Sequence, residues 1–365
     1  MTGPDTVTLT IPDGTARSWH DSFLGKRQGT IVRPGTDFEH PIGAGPMRVV
    51  RYTPRESMTL ERYEGYWDAD SVNFAGIELV NLSASQPQSG VAALRAGQVD
   101  IIQTEVSQIG AITGNLEWVA EPEEGQLITM QLCKRDGPLA DSRVRKAINK
   151  AIDREALSDV VFAGTAIPAH QLWAPGSRFH DPEVDDELAY DPEAARQLLA
   201  DAGYPDGIEF DAYVLPSLSL PEVAEVIQPQ LAEVGITMNI LLTPDIVNGF
   251  MTPSRPGAGL IPLLPEGRVK LEQWRGDAIS NTCGFEDPQI DTFATELSSV
   301  SDSSEEAVEI WHDVADHVTD EALSVLLVFG SRIGAYDSDV LSDVVRYPKG
   351  TFFVPDIFTT YTPAA

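Results

Sequence analysis

An irregular stretch of the chain, residues 252–284, holds side chains suited to binding a small polar molecule. The stretch is rich in proline and glycine, and connecting segments of this kind are where binding residues concentrate. Trp274 offers an indole that stacks on a flat ligand group, although an ordinary packed tryptophan explains it equally well. Asn281 carries an amide that both donates and accepts hydrogen bonds, and the alternative is an asparagine that caps its own loop. We therefore take this stretch as the first candidate site.

The sequence patterns of catalysis and metal binding do not occur in this chain. None of its six histidines has the spacing of a metal motif, and His312 and His317, five residues apart, do not share one helix face. There is no GxSxG, GxxxxGK or GxGxxG sequence. Carboxylates are abundant but no pair stands out. The sequence predicts no catalytic residue, no metal site and no cofactor.

The charge of the chain is strongly negative, at −31, and only six lysines accompany nineteen arginines. Such a surface repels nucleic acid phosphates and anionic lipids, so neither is an expected partner. A solubilising or salt-adapted surface and selection for cationic ligands both explain the charge. No apolar run approaches the roughly 20 residues that span a bilayer.

The two cysteines, Cys133 and Cys283, fit neither a metal cluster nor a disulfide-rich scaffold. They are either two free thiols or one bridge formed in an oxidising compartment.

Hydrophobic periodicity and turn residues predict an α/β chain. The helix after Asp191 is the best marked, with Asp191 as N-cap, Pro192 at its first position and Gly203 as its stop. Residues 252–284 and the tail beyond Phe329 are predicted to be irregular. The other predicted elements are strands at Met47–Tyr52, Met58–Tyr63, Ile77–Leu82, Val99–Ile102, Gly125–Cys133, Glu209–Leu215, Ile236–Leu242 and Leu323–Phe329, and helices that begin near Ser85, Asp141, Asp153, Pro221, Pro288 and Ser304.

Several short motifs occur in the order of one known family. They are Pro41–Pro46 (PIGAGP), Glu61-Arg62 with Tyr66-Trp67, Ala93–Asp100 (ALRAGQVD), Arg143–Ile148 with Ala151–Arg154, and Asn281–Phe285 with Asp287-Pro288. In these motifs the chain resembles the peptide/nickel class of solute-binding proteins of ABC importers, solute-binding protein family 5.

The resemblance implies an α/β, two-lobed periplasmic-binding-protein-like fold of type II, similar to cluster C, with the first part of lobe one missing. Residues 1–125 are then the remainder of lobe one, 126–328 are lobe two, and 329–365 return to lobe one. The motifs cover only the later two-thirds of a family member, so we expect a truncated product or a misassigned start. The N-terminal MTGPDTVTLTIPDG has no basic n-region and no apolar h-region, which predicts that no signal peptide is present.

The resemblance also implies which residues bind ligand. Asn281 matches a family asparagine that contacts ligand, and Cys283 lies in the same motif. Phe285 replaces the usual tyrosine, either as packing beneath the loop or as a ligand contact. With Trp274 and Arg268, these residues form the predicted ligand site.

One position departs from the family pattern. Gly267-Arg268 resembles a GRxDP segment whose aspartate receives a ligand amine, but Lys270 stands in place of that aspartate. This change favours an anionic or neutral solute over an ordinary free-amino peptide, or indicates a decayed site. Arg268 is a candidate ligand cation, and the alternative is a solvated surface arginine.

The function implied by the resemblance is extracytoplasmic binding of a peptide or similar solute. A monomer closes two lobes over the ligand and delivers it to the permease subunits of an ABC importer, without enzymatic activity. Three alternatives remain: a non-binding remnant, the ligand-sensing domain of a regulator, and a hydrolase that uses two carboxylates. A regulator would normally carry a basic DNA-binding helix pair, which this acidic chain lacks.

Overall fold

The computed structural model describes residues 41–82, 87–120, 126–133, 137–244, 257–263, 267–276, 278, 281, 283–330 and 333–344, and positions 8, 33, 35, 36, 362 and 363. The side chains at 87–89, 268, 269 and 362 lie outside that description.

The chain divides into two compact units. The larger includes Leu127–Leu157 and Pro168–Val328, and the smaller includes Ile31–Gln126, Ser158–Ile167 and Phe329–Ala365. The lobe limits 1–125, 126–328 and 329–365 stay a prediction.

A six-stranded mixed sheet forms the centre of the larger unit. Its strands, from one edge to the other, are β7 (Ile167–Pro168), β11 (Ser324–Gly330), β6 (Gln126–Leu132), β10 (Ala258–Leu263), β8 (Ile208–Val214) and β9 (Ile236–Leu242). Strands β8, β9 and β10 are parallel, and β6 is antiparallel to β10. Every residue of β11 is buried, as expected of a continuous apolar run in a sheet covered on both faces.

Strand β10 corrects the prediction that residues 252–284 are irregular. Its sequence AGLIPL contains Gly259 and Pro262, which normally argue against a strand. Hydrogen bonding to the neighbouring strands β6 and β8 outweighs this unfavourable strand propensity, since β6 pairs with β10 over its whole length. On the other side, β8 pairs only with Ala258–Leu260, so Pro262 lies beyond that ladder and its missing N–H costs no bond there.

Seven helices lie among the described parts of the larger unit and its connections. They are α2 (Ser142–Lys150), α3 (Arg154–Phe162), α4 (Pro192–Asp201), α5 (Leu220–Glu233), α6 (Gly267–Leu271), α7 (Pro288–Ser299) and α8 (Glu305–Asp320). The predicted Asp191 cap forms, and Asp141 and Ser304, near which helices are predicted to begin, also accept a backbone N–H in the first turn. Across the described residues, no helix combines the length and the apolar character that a bilayer crossing requires.

Two arginines of α2, Arg143 and Arg145, have structural roles. Arg143 is paired with the capping Asp141, and its hydrogen bonds lower the pKa of that carboxyl. Arg145 is buried and donates to the carbonyls of Leu139, Ala140, Glu321 and Ala322. It therefore ties α2 to the turn that leads into β11.

The smaller unit contains two three-stranded sheets. In one, the predicted strands β1 (Met47–Thr53) and β2 (Ser57–Arg62) pair as an antiparallel hairpin, and β3 (Gly76–Val80) pairs with β2. In the other, β12 (Ile333–Asp337) lies between β4 (Ile101–Thr104) and β5 (Leu116–Val119).

The position of β12 corrects the prediction of an irregular tail. Its residues pair on both sides, with β4 and with β5, over sequence separations of more than 200 residues. Helix α1 (Pro87–Arg95) packs near β4, and its predicted Ser85 cap lies outside the described residues. A short pair, β13 (Leu341–Ser342) and β14 (Thr362–Pro363), completes the described elements.

Candidate functional site

The predicted ligand residues fall on one stretch of the larger unit, which we call the α6–α7 segment, residues 267–287. It begins with α6, the next described element after β10, and it ends at Asp287, whose carboxylate caps α7 by accepting the N–H groups of Gln289 and Ile290. His317 of α8 contacts the same carboxylate at 3.0 Å. Both ends of the segment are therefore anchored to regular structure.

Asn281 closes a turn inside the segment. Its side-chain Nδ2 donates to the carbonyls of Arg275 and Phe285, each at 2.8 Å, and its Oδ1 accepts the Phe285 N–H at 2.8 Å. Both amide hydrogens are thus used within the protein. This geometry is that of the loop-capping alternative, and direct contact of Asn281 with a ligand stays a prediction.

Two aromatic residues of the predicted site form part of the core. Phe285 and Trp274 are buried, with exposed fractions of 1% and 0%. Burial of Phe285 matches the alternative of packing beneath the loop. The Trp274 Nε1 is also buried, and it has no hydrogen-bond partner within the described part of the chain. A buried indole N–H without a hydrogen-bond acceptor lowers the stability of the fold.

Cys283 forms a disulfide with Cys133, the residue that follows β6. The alternative of two free thiols is therefore wrong for this structure. Both sulfurs are buried, and the bond joins positions 150 residues apart in sequence. Such pairing is typical of proteins that fold in an oxidising compartment.

Arg268 lies in α6, but its side chain is outside the described residues. Its predicted role as a ligand cation stays a prediction.

Lys270 is buried two residues further along α6. Its Nζ donates to the Leu172 carbonyl and lies 3.8 Å from the centre of the Trp173 ring. An ammonium group over an indole face is a cation–π contact, which gains strength away from water. The position of the family's aspartate is thus occupied by Lys270, whose ammonium group contacts the Leu172 carbonyl and the Trp173 ring of the protein itself.

Trp173 was not identified from the sequence, although it organises this part of the site. It makes an edge-to-face contact with Trp311 at 5.0 Å and packs on Phe179 at 4.8 Å. A Cβ atom at Gly267 would lie only 3.0 Å from the Trp173 ring and 3.2 Å from Trp311. Glycine therefore lets α6 approach the two indoles closely.

Two glutamines were also missed by sequence reasoning. Gln131 of β6 donates to the side-chain oxygen of Gln273 at 3.0 Å, and Gln273 donates to the Lys270 carbonyl at 3.0 Å. Both are buried, with exposed fractions of 2%. Their positions, 142 residues apart, carry no pattern in the sequence, and long-range contacts such as the pairing of β6 with β10 bring them together.

No group of three or more His, Cys, Asp or Glu side chains in the described ranges is arranged to hold a metal ion.

The fold defines the class of protein. The substrate-binding protein CtaP of Listeria monocytogenes has a TM-score of 0.76 at 18% identity, over 90% of this chain and 68% of that one. NikA of Brucella suis, solved with Fe(III)-EDTA, has a TM-score of 0.75 at 18% identity, over 91% and 71%. DppA of Helicobacter pylori, solved with the peptide STSA, has a TM-score of 0.69 at 18% identity, over 88% and 63%. The predicted fold class, that of two-lobed periplasmic binding proteins, is confirmed.

The sequence comparison then identifies the family. Residues 2–249 match the bacterial extracellular solute-binding proteins, family 5 (middle region), and the chain belongs to this family. The glutathione-binding protein GsiB of Salmonella paratyphi A is 32% identical over 208 residues, which are 55% of this chain and 39% of that protein. GsiB of Pectobacterium atrosepticum is 26% identical over 339 residues, 87% of this chain and 64% of that protein. The chain thus spans from 39% to 64% of the length of these relatives.

Proposed function

We propose that this chain binds a short peptide or a similar organic solute outside the cytoplasm and delivers it to the permease subunits of an ABC importer. Binding occurs by closure of two lobes over the ligand, and the proposal includes no catalytic step. The protein acts as a monomer and needs no cofactor.

The observation that carries this proposal is family membership over residues 2–249, more than half of the chain. Similarity to solved solute-binding proteins over about 90% of the chain supports the same fold for the remaining residues. Membership in a family of extracellular proteins, together with a buried disulfide, supports a location outside the cytoplasm.

Glutathione is the first ligand to test, because the relatives with 32% and 26% identity are named as glutathione-binding proteins. The chemistry of the α6–α7 segment is compatible with this anionic tripeptide. Lys270 brings a buried positive charge into the segment. Its ammonium group is bonded to the Leu172 carbonyl, so its charge favours an anionic solute without direct pairing. Trp173, which is only partly buried, presents an aromatic surface beside that charge.

Isothermal titration calorimetry of the purified chain with glutathione tests the proposal. We expect saturable one-to-one binding, with a heat capacity change below zero as apolar surface is buried. A set of di- to tetrapeptides, titrated in the same way, tests the wider ligand class. Absence of binding by glutathione and by every peptide of the set would contradict the proposal and favour the non-binding remnant.

Asn281→Ala is expected to weaken the binding of the titrated ligand by about tenfold, equivalent to about 1.4 kcal/mol. The variant removes three hydrogen bonds that shape the turn from Arg275 to Phe285, so the segment loses its geometry. Calorimetric titration of both proteins measures the change.

Asn239→Ala is the matched control for this variant. Asn239 also has a bonded amide, but its partners are Glu209 and Asp211 on the neighbouring strand β8. We expect its affinity to match that of the unmodified chain. Equal affinities for the two alanine variants would show that the Asn281 turn has no part in binding.

A further inference from the structure

The Cys133–Cys283 disulfide joins two parts of the site that are far apart in the sequence. Cys133 follows the last residue of β6 and is fully buried, and Cys283 lies inside the Asn281 turn with 6% exposure. The two cysteines are 150 positions apart in the sequence. The bond therefore fixes the turn directly to the central sheet rather than to its neighbours in sequence.

A pair of buried amides surrounds the same point. The Gln131 Oε1 lies 3.7 Å from the Cys283 sulfur, and the Gln131 Nε2 donates to Gln273 at 3.0 Å. Gln273 in turn donates to the carbonyl of Lys270. The end of β6 thus contacts the α6–α7 segment at two places, through the covalent bond at Cys283 and through the amide pair that reaches α6.

The turn that carries Cys283 is closed by Asn281. Its amide bonds to the Arg275 carbonyl and to both backbone groups of Phe285, so it joins the two ends of the loop from Arg275 to Phe285. We call this loop the Asn281 clamp. One covalent bond from Cys283 therefore links the clamp directly to Cys133 at the end of β6.

We infer that the Cys133–Cys283 disulfide is a positioning element for ligand binding. It holds the Asn281 clamp against β6, and its loss lowers affinity for ligand while the larger unit stays folded. The part that concerns affinity rests on the proposed function. The amide pair alone does not replace the bond, because two neutral hydrogen bonds limit the clamp much less than a covalent link across 150 residues.

This role makes binding dependent on thiol redox state. Opening the bond takes two electrons and two protons from a thiol reductant, which leaves two cysteine thiols and converts the reductant to its disulfide. A protein that matures in an oxidising compartment keeps the bond and the clamp, whereas a reduced protein has a loose clamp.

Hydrogen–deuterium exchange without ligand tests the position of the clamp. The samples are the oxidised chain, the chain refolded under reducing conditions, and the Cys133→Ala/Cys283→Ala double variant. We expect exchange at the Phe285 amide, which is bonded to Asn281, to rise at least tenfold in both bridge-free proteins. Amides of the buried strand β11 should remain protected. Unchanged protection at Phe285, or an equal loss of protection throughout β11, would overturn the inference.

Calorimetric titration of the same samples tests the effect on binding, with S-methylglutathione as the probe because it has no thiol to exchange with the bridge. We expect affinity to fall at least tenfold without the bridge. Leu199→Ala, a core truncation in α4, provides a variant that loses stability without touching the clamp, and its affinity should stay unchanged. Equal affinity with and without the bridge would overturn the positioning role. If the oxidised chain binds no probe, the proposed function fails for this ligand, while the exchange experiment still decides whether the bond positions the clamp.

Discussion

Replacing Arg154 with leucine is expected to lower the free energy of unfolding of the larger unit by at least about 3–5 kcal/mol. A typical domain has a total stability of only about 5–15 kcal/mol, so this variant should be barely folded or unfolded at 25 °C.

The reason is the number of backbone groups that one buried guanidinium satisfies. Arg154 is 3% exposed, and its Nε donates to the carbonyls of Ala169 at 2.9 Å and Leu326 at 2.7 Å. Its terminal nitrogens donate to the carbonyl and the side-chain oxygen of Asn149, at 3.1 and 2.9 Å. Burial lowers the pKa of Arg154 to about 10, so the group remains charged at neutral pH. Leucine would remove a donor from each of these buried acceptors at once.

Urea unfolding of the variants measures this loss. Arg154→Lys keeps the charge but loses the planar fork, so an intermediate loss is expected. Arg196→Leu, on the exposed face of α4 where the arginine pairs with a solvated glutamate, is the control and should cost no more than about 1 kcal/mol. A stability of Arg154→Leu within about 0.5 kcal/mol of the unmodified chain would contradict this role of Arg154.

Lowering the pH from about 6.5 to about 4 is expected to remove about 3 kcal/mol of stability through His170. Burial and the nearby positive charge of Arg154 lower the pKa of His170 to about 4, and Asp185 and Asp186 oppose that shift. Its Nδ1 is buried and lacks a partner within the described residues. Protonation therefore adds a charge in a place where the fold offers it little compensation.

The sign of this effect follows from proton binding in the two states. A histidine in the unfolded chain titrates near 6.5, so between that pH and the folded-state pKa of about 4 the unfolded chain binds more protons. Stability is therefore fully present above pH 6.5 and falls as the pH is lowered through this window.

His170→Gln removes the titrating group and should flatten the stability profile between pH 6.5 and 4. Urea unfolding at a series of pH values compares this variant with the unmodified chain. His180→Gln is the control, and its profile should keep most of the slope. Parallel profiles for the unmodified chain and His170→Gln would assign the acid sensitivity to other groups.

Much of the fold was predictable from the sequence, because local signals agreed with the final structure. Asp191, Pro192 and Gly203 mark the limits of α4 in sequence and in structure, and the apolar run of β11 is a fully buried strand. Strands β10 and β12 were not predictable in the same way. Each owes its conformation to neighbours on both sides that are distant in sequence, and local preference was weak or unfavourable at Gly259 and Pro262.

The sequence indicated a region for the candidate site, which stays a prediction, and it did not give the arrangement of the side chains there. The motif from Asn281 to Phe285 predicts a ligand contact, with loop capping as the alternative, and the sequence leaves the state of Cys133 and Cys283 open. Trp173 and Gln131 carry no motif, because their roles arise only where β6 and the chain before α4 meet the α6–α7 segment. Long-range pairing decides such contacts, and one sequence contains no direct sign of it.

Native mass spectrometry of the purified, oxidised chain, with and without a mixed pool of short peptides and glutathione, tests the central claim most directly. The account predicts a compact charge-state distribution and a discrete one-to-one adduct, whose mass identifies the ligand. A spectrum that shows only the bare chain under both conditions would contradict the claim that this protein binds such a solute.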